Sequence, residues 1–477
     1  MGKKEVKLEK KLSMVNVWAL AFGCIIGWSA FVLPGTSFLK NAGTLGTAIG
    51  MGIAALLMVI IAFNYNYMVN KFPRSGGEFI YSNEAFGKNS AFICSWFLSL
   101  SYLVLVPLNA TGLPLIARAL FGDFFQFGFY YQVAGYEVYL GEIVLAIVAL
   151  LLFAYLSIRG VKFTGVFQTI LTVMLAGGVI LVSIAALFSD KATADNLLPL
   201  FGENKAPIAG IIGVLAIAPY AFVGFDTIPQ AAEEFNFSPK KTIGILILAI
   251  FFGAAIYVGI NTFSASVVPS EYGSWVEYVK DIDNLSGVKS IPSFNAAKEL
   301  LGVVGLVAIG GAVMAALISG VVGFYMASSR LLYSISKEKM LPEWFGELHE
   351  NYKTPKNAII FVMVLGCIAP FFGRNTLLWI VDMSSLGAAI GYGYTSAASL
   401  KFAIQEKNTG IIITGALGTL FSIVCAIILL VPIKGLNCSL SKESYICLLV
   451  WVVMGLIFYM YSRHKANKHC NQLFFNI

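Results

Sequence analysis

Short polar breaks divide this chain of 477 residues into apolar runs, most of them about 20 residues long, the length a helix needs to cross roughly 30 Å of hydrocarbon. Twelve runs can be counted, at 14–39, 44–70, 90–118, 138–158, 163–188, 207–234, 242–268, 296–334, 357–373, 377–402, 410–432 and 445–462. The eighth is too long for one simple span and is expected to project into the cytoplasm or to begin as an outer-surface helix. Hydrophobic residues make up 58% of the chain and charged ones 12%, against about 25% charged in soluble domains. A soluble fold could not bury that much apolar surface. The expected class is an all-α membrane protein.

Lysine and arginine between the runs set the expected orientation, because cytoplasmic loops are enriched in both. With the N-terminus inside, 22 fall on the cytoplasmic side and 10 outside, so both termini are expected in the cytoplasm. The net charge of +7 is then loop charge, and nucleic-acid binding is not implied. The basic start, Lys3 to Lys11, leads into a membrane-length run without a small-residue cleavage pattern, so no cleavable signal peptide is expected. Seven cysteines show no metal spacing; Cys438 and Cys447 flank one outer loop and are the one candidate pair.

The first run contains an anomaly. Gly23-Cys24-Ile25-Ile26-Gly27-Trp28-Ser29-Ala30 is poor helix material at the depth where lipid offers no hydrogen-bond partner. Gly-x-x-x-Gly also suits close helix packing, so packing and a true helix break both remain readings of this stretch alone. A second interruption, Ala218-Pro219-Tyr220-Ala221-Phe222-Val223-Gly224-Phe225-Asp226, opens the second half of the chain. Paired interruptions in two halves point to a solute site near the midplane. Runs one to five and six to ten form those halves; an odd number of spans in each makes the repeat inverted.

An unwound first segment offers free N–H groups at Trp28 and Ser29, which suit an anion. The carbonyls of Ile25, Tyr220 and Val223 suit an ammonium group. An α-amino acid zwitterion is the simplest solute that satisfies both. Asp226 is expected either as a cap on the second half-helix or as a contact for substrate or proton. Glu233 and Glu234, with Lys240 and Lys241 following, read as a solvated ion-pair cluster; Asp382 reads as interfacial. The three histidines, at 349, 464 and 469, all fall in cytoplasmic regions. No protease or ATPase motif is present, and neither enzymatic catalysis nor a metal or cofactor is expected.

The stretch Gly23-x-Ile25-Ile26-Gly27-x-x-x-Phe31-x-x-Pro34 resembles the first helix of amino acid–polyamine–organocation permeases. Pro73-x-Ser75-Gly76-Gly77-x-Phe79-x-Tyr81 with Ala85-Phe86-Gly87 is similar to that family's first cytoplasmic loop. Ala221-Phe222-Val223-Gly224-Phe225-Asp226 with Ala231-Ala232-Glu233-Glu234 resembles its sixth helix, nearest to the cationic amino acid transporter branch. Ser329-Arg330, Leu341-Pro342 and Thr354-Pro355 fit its eighth-to-ninth connection. The resemblance implies the leucine-transporter-like fold: twelve transmembrane helices, a 5+5 inverted repeat plus two, with helices 1 and 6 broken. The chain then divides into a tail 1–13, repeats 14–188 and 189–402, an added pair 403–462 and a tail 463–477.

Carried over by position, the resemblance implies a substrate site of Ile25, Ile26, Gly27, Trp28, Ser29, Tyr220, Ala221, Val223 and Gly224. Ser99, Leu103, Phe324 and Ser384 would complete the side-chain pocket, and Tyr220 would be an aromatic gate. Trp28 stands where relatives usually have a small residue. Some relatives carry a lysine in the fifth helix that replaces a sodium ion, and 165–184 holds no Lys or Arg. Proton and sodium coupling and exchange therefore all stay open. The expected function is secondary transport of an amino acid across the plasma membrane, with an amine or polyamine carrier or an exchanger as the alternative. A channel would need rings of pore ligands, and a sensor a soluble output domain. The expected partners are a small-molecule substrate and the lipid bilayer; the oligomeric state is not readable.

Overall fold

The computed structural model describes residues 8–202, 206–433 and 439–474. The Cys438–Cys447 pairing therefore lies outside the described residues. The elements in chain order are α1 (Met14–Ile25), α2 (Ser29–Leu33), α3 (Leu39–Lys71), α4 (Glu78–Phe86) and α5 (Lys88–Phe121). A hairpin of β1 (Tyr130–Val133) and β2 (Tyr136–Tyr139) follows, then α6 (Leu140–Ile158) and α7 (Val161–Leu187). The second half has α8 (Pro207–Ala221), α9 (Thr227–Gln230), α10 (Thr242–Ser266), α11 (Trp275–Lys280) and α12 (Pro292–Lys337). It ends with α13 (Lys356–Gly366), α14 (Gly373–Glu406), α15 (Thr409–Leu430) and α16 (Lys442–Phe474).

Among the described residues eight helical stretches are long and apolar enough to cross a membrane, and Pro207–Ala221 and Lys356–Phe372 are shorter apolar helices. Runs one and two fall in one stretch, the sixth and ninth in the two shorter helices, and the tenth in α14. Met14–Lys71 is one near-continuous stretch, whereas the sixth run stops at Ala221. Outward faces stay apolar. Val173 is 65% exposed, Leu420 59% and Leu449 64%. Faces of that kind are a liability in water and cost nothing against hydrocarbon, so this is a multi-pass, predominantly helical membrane protein.

α12 packs against α7 and α5, α14 against α15 and α5, and α3 against α8 and α10. Its long run is divided at Gly302, whose φ of +59° is left-handed. A short helical segment, Pro292 to Leu301, thus precedes the long part of α12. The hairpin is a local exception to the all-helical expectation: Tyr130 pairs with Tyr139 and Val133 with Tyr136 across Ala134-Gly135. Both turn residues have positive φ, the geometry that suits two-residue hairpins. Arg118 is paired with Glu142 and donates to the Glu137 carbonyl at 2.7 Å, tying the hairpin to α5.

Two connections hold the polar ends together. Ser13 caps α1 through a reciprocal bond with Asn16; just before it, Leu12 N–H donates to Glu234 O at 2.9 Å and Asn236 N–H to Leu12 O at 3.0 Å. The solvated-cluster reading of Glu233 and Glu234 is corrected here. Glu234 is fully buried and accepts from Arg330 Nε at 2.7 Å and Nη2 at 3.2 Å. Glu233 Oε1 accepts from Ser75 N–H at 3.1 Å. The distant Arg330 outcompetes Lys240 and Lys241 because only a planar, two-pronged cation satisfies both oxygens of a buried carboxylate.

Candidate functional site

α1 ends at Ile25 and α2 begins at Ser29, so the chain is not helical across Ile26-Gly27-Trp28. α8 ends at Ala221 and α9 begins at Thr227. Between them the backbone runs in tight turns: Val223 N–H donates to Tyr220 O at 3.1 Å and Thr227 N–H to Gly224 O at 3.1 Å. The two interruptions touch. Gly224 has φ +138°, and a β-carbon on it would stand 2.6 Å from Ile25 N and 2.7 Å from Cys24 C. Only glycine takes that conformation freely and permits that approach.

Around the contact lies a set of hydroxyls. Tyr257 Oη donates to Ile25 O at 3.3 Å. Ser29 is buried near Tyr220 and Tyr257. Asn109 on α5 donates to Leu105 O at 2.8 Å, while its buried Oδ1 has no partner and is 3.5 Å from where a Gly27 β-carbon would be. Trp28 is buried and fills the space beside Gly112 and Leu317. The Tyr220 carbonyl is partly engaged by the Val223 turn, and that of Ile25 by Tyr257, though a carbonyl accepts two bonds.

Asp226 does not cap α9, which has no side-chain cap bond. Instead its Oδ1 accepts from Gly224 N–H at 2.7 Å and its Oδ2 from Tyr102 Oη at 2.8 Å. The carboxylate is drawn back into the turn because both donors lie behind it. Beside it is a residue that the sequence reading left in a loop. Glu78 is fully buried, accepting from Tyr65 Oη at 2.7 Å and from Gln230 Nε2 at 2.7 Å. Tyr102 Oη is 3.5 Å from Glu78 Oε1, so one hydroxyl bridges two carboxylates. No lysine or arginine is paired with either acid among the described residues. The signal for Glu78 was its charge between the Gly76-Gly77 pair and the apolar Phe79-Ile80; nothing local told that the loop folds inward.

The remaining predicted positions separate. Phe324 is buried with its ring 6.2 Å from Tyr102, next to the acid pair. Ser384 is 3.0 Å from Ser101 Oγ and joins α14 to α5. Ser99 and Leu103 line an apolar groove bounded by α5, α12, α13 and α16. On α7, where a lysine was sought, Gln168 is fully buried; its Nε2 donates to Ser319 O at 2.9 Å and its Oε1 has no partner. Among the described residues no group of three or more metal-ligating side chains occurs.

The two helix breaks are thus joined backbone to backbone, Gly224 against Ile25. A family profile described as amino acid permease matches residues 12–457. The chain belongs to the amino acid permease family. It is 26% identical to the methylthioribose transporter of Bacillus subtilis, over 97% of this chain and 95% of that protein. It is 24% identical to the branched-chain amino acid permease BcaP of B. subtilis, again over 97% and 95%. Similarity to cationic amino acid transporter 3 of Arabidopsis thaliana is 24% over 81% of this chain and 60% of that one. This permease is thus a transporter and not an enzyme.

Proposed function

We propose that this permease moves an α-amino acid across the plasma membrane by alternating access around the joined breaks. In this reading the amides of Trp28 and Ser29 hold the carboxylate, and the carbonyls of Ile25, Tyr220 and Val223 hold the ammonium group. Ile26, Gly27, Ala221 and Gly224 supply the backbone bend, and Tyr220 closes over the solute. The twelve-helix, 5+5 inverted arrangement goes with it, as do cytoplasmic termini. The carrying observation is the contact of Gly224 with Ile25, which brings both interruptions into one site.

One observation favours the amine alternative. Two buried carboxylates, Glu78 and Asp226, lie near the breaks without a basic partner among the described residues, and an uncompensated buried charge is costly. Counterflow of radiolabelled amino acids in proteoliposomes tests both readings, with each parent acid competed against its decarboxylated amine. Competition by the acid alone supports the amino acid reading. Equal competition by the amine transfers the protein to amine carriers, and no counterflow with any amino acid or amine overturns both.

A further inference from the structure

Away from the joined breaks, a groove of about 620 Å³ lies between α5, the end of α12, α13 and α16. Its size is within the roughly 300–1,000 Å³ of ligand pockets. Its chemistry differs from that of the solute site. The polar side chains in its lining are Ser95, Ser99 and two tryptophans. Ser95 donates to Phe92 O at 3.1 Å. The indoles of Trp96 and Trp451 stack and each donates to the other's carbonyl, at 3.0 and 3.3 Å. Little is left to bind a polar solute. The occupant must be apolar.

The rim says where it comes from. Leu365 is 41% exposed, Ile368 51%, Phe372 48% and Met454 48%, so the groove opens onto the lipid-facing surface. A void there would forfeit dispersion contacts that hydrocarbon restores. Along α5 it runs from Phe92 to Pro107, about 22 Å at 1.5 Å per residue, more than half of the roughly 30 Å hydrocarbon core. That matches one extended chain entering from one leaflet. Lys88 lies one helical turn before Phe92, and Lys339 directly precedes the lining residue Met340; both are exposed. These ends of α5 and α12 are on the same side, since Ser334 donates to Ser75 O at 2.7 Å, just ahead of α4 and α5.

We propose that this groove binds one acyl chain of an anionic phospholipid, whose phosphate is held by Lys88 and Lys339. The bound chain then fills the seam between α5, α12, α13 and α16. This inference rests on the membrane embedding and not on the identity of the transported solute, and its readout is lipid labelling.

The test uses the full chain in liposomes containing phosphatidylglycerol with a photoactivatable group on its acyl chain, and maps the labelled peptides. Labelling concentrated several-fold on 92–107 and 361–372 over the exposed face of α15 is the expected result. Lys88→Glu with Lys339→Glu should lower that labelling several-fold and leave α15 unchanged, and Ser95→Trp should do the same by filling the groove. Even labelling over all lipid-facing helices of the unaltered protein overturns the proposal without any variant. So does groove labelling that a photoactivatable phosphatidylcholine or free fatty acid matches, or a protein–protein crosslink to a second copy at these peptides.

Discussion

Gly224 lies against the main chain of Ile25, so closely that a β-carbon would stand 2.6 Å from the Ile25 nitrogen. This one approach joins two segments about 200 residues apart and leaves no room for a side chain. Gly224→Ala must move one break relative to the other and must also hold a conformation that costs of order 1–3 kcal/mol. Transport in proteoliposomes should fall severely while the protein still elutes as a folded species. Normal transport by the alanine variant would mean that the contact is dispensable.

The backbone assignment at Ser29 separates side chain from main chain. Ser29→Ala removes only the side-chain hydroxyl and keeps the backbone N–H, so it costs at most a neutral hydrogen bond of about 0.5–1.5 kcal/mol, and binding should weaken mildly. Ser29→Pro deletes the N–H, and loss of a bond to a charged carboxylate costs about 1.5–3 kcal/mol. Equilibrium binding of labelled substrate checks this: equal affinities for the two variants would remove the amide from the site.

Tyr220→Ala should slow transport more than it weakens binding, because the residue ends α8 beside the break that must move. Tyr220→Phe keeps the ring and loses only the hydroxyl, which makes it the control for the ring alone. Lost binding with unchanged transport per bound solute would make Tyr220 a plain pocket residue.

The buried Glu234–Arg330 pair predicts asymmetric damage. Arg330→Ala leaves a carboxylate with 0% exposure uncompensated, a loss of about 3–5 kcal/mol, whereas the double variant Glu234→Leu/Arg330→Met removes both charges. Thermal unfolding in detergent should place the double variant well above the single one. The reverse order would show that the pair is not a structural unit.

Glu78→Gln should be tolerated better than Glu78→Ala. Gln230 has an unpartnered Oε1 and can turn its amide to receive the new N–H, which preserves the shape of the network. Alanine would strand the Tyr65 hydroxyl and the Gln230 amide, each costing about 1–3 kcal/mol. Equal unfolding temperatures for the two variants would contradict this.

Orientation is open to direct measurement. Cysteines at Lys88 and Lys191 should be labelled from opposite faces of the membrane, because the 22 against 10 distribution of basic residues predicts loops on opposite sides. Labelling of both from one side would invert or break the topology.

Membrane class, helical character, family and the two interruptions were all legible in the linear chain, because each depends on local composition: run length against hydrocarbon thickness, and glycine or proline where a helix needs neither. Gly27 and Gly224 could be marked for that reason alone. What the linear chain could not express was partnership. Arg330 reaches Glu234 across 96 residues and Glu78 reaches Gln230 across 152, so charges that look solvated in a loop become buried and paired. Asp226 looked like a cap for the turn ahead of it and bonds behind it, since Tyr102 comes from another helix. Ser99 and Leu103 share α5 with Tyr102, yet they line the lipid-side groove while Tyr102 reaches Asp226. Which face of a helix meets which neighbour is decided by packing over the whole bundle, and for that the tertiary structure was required.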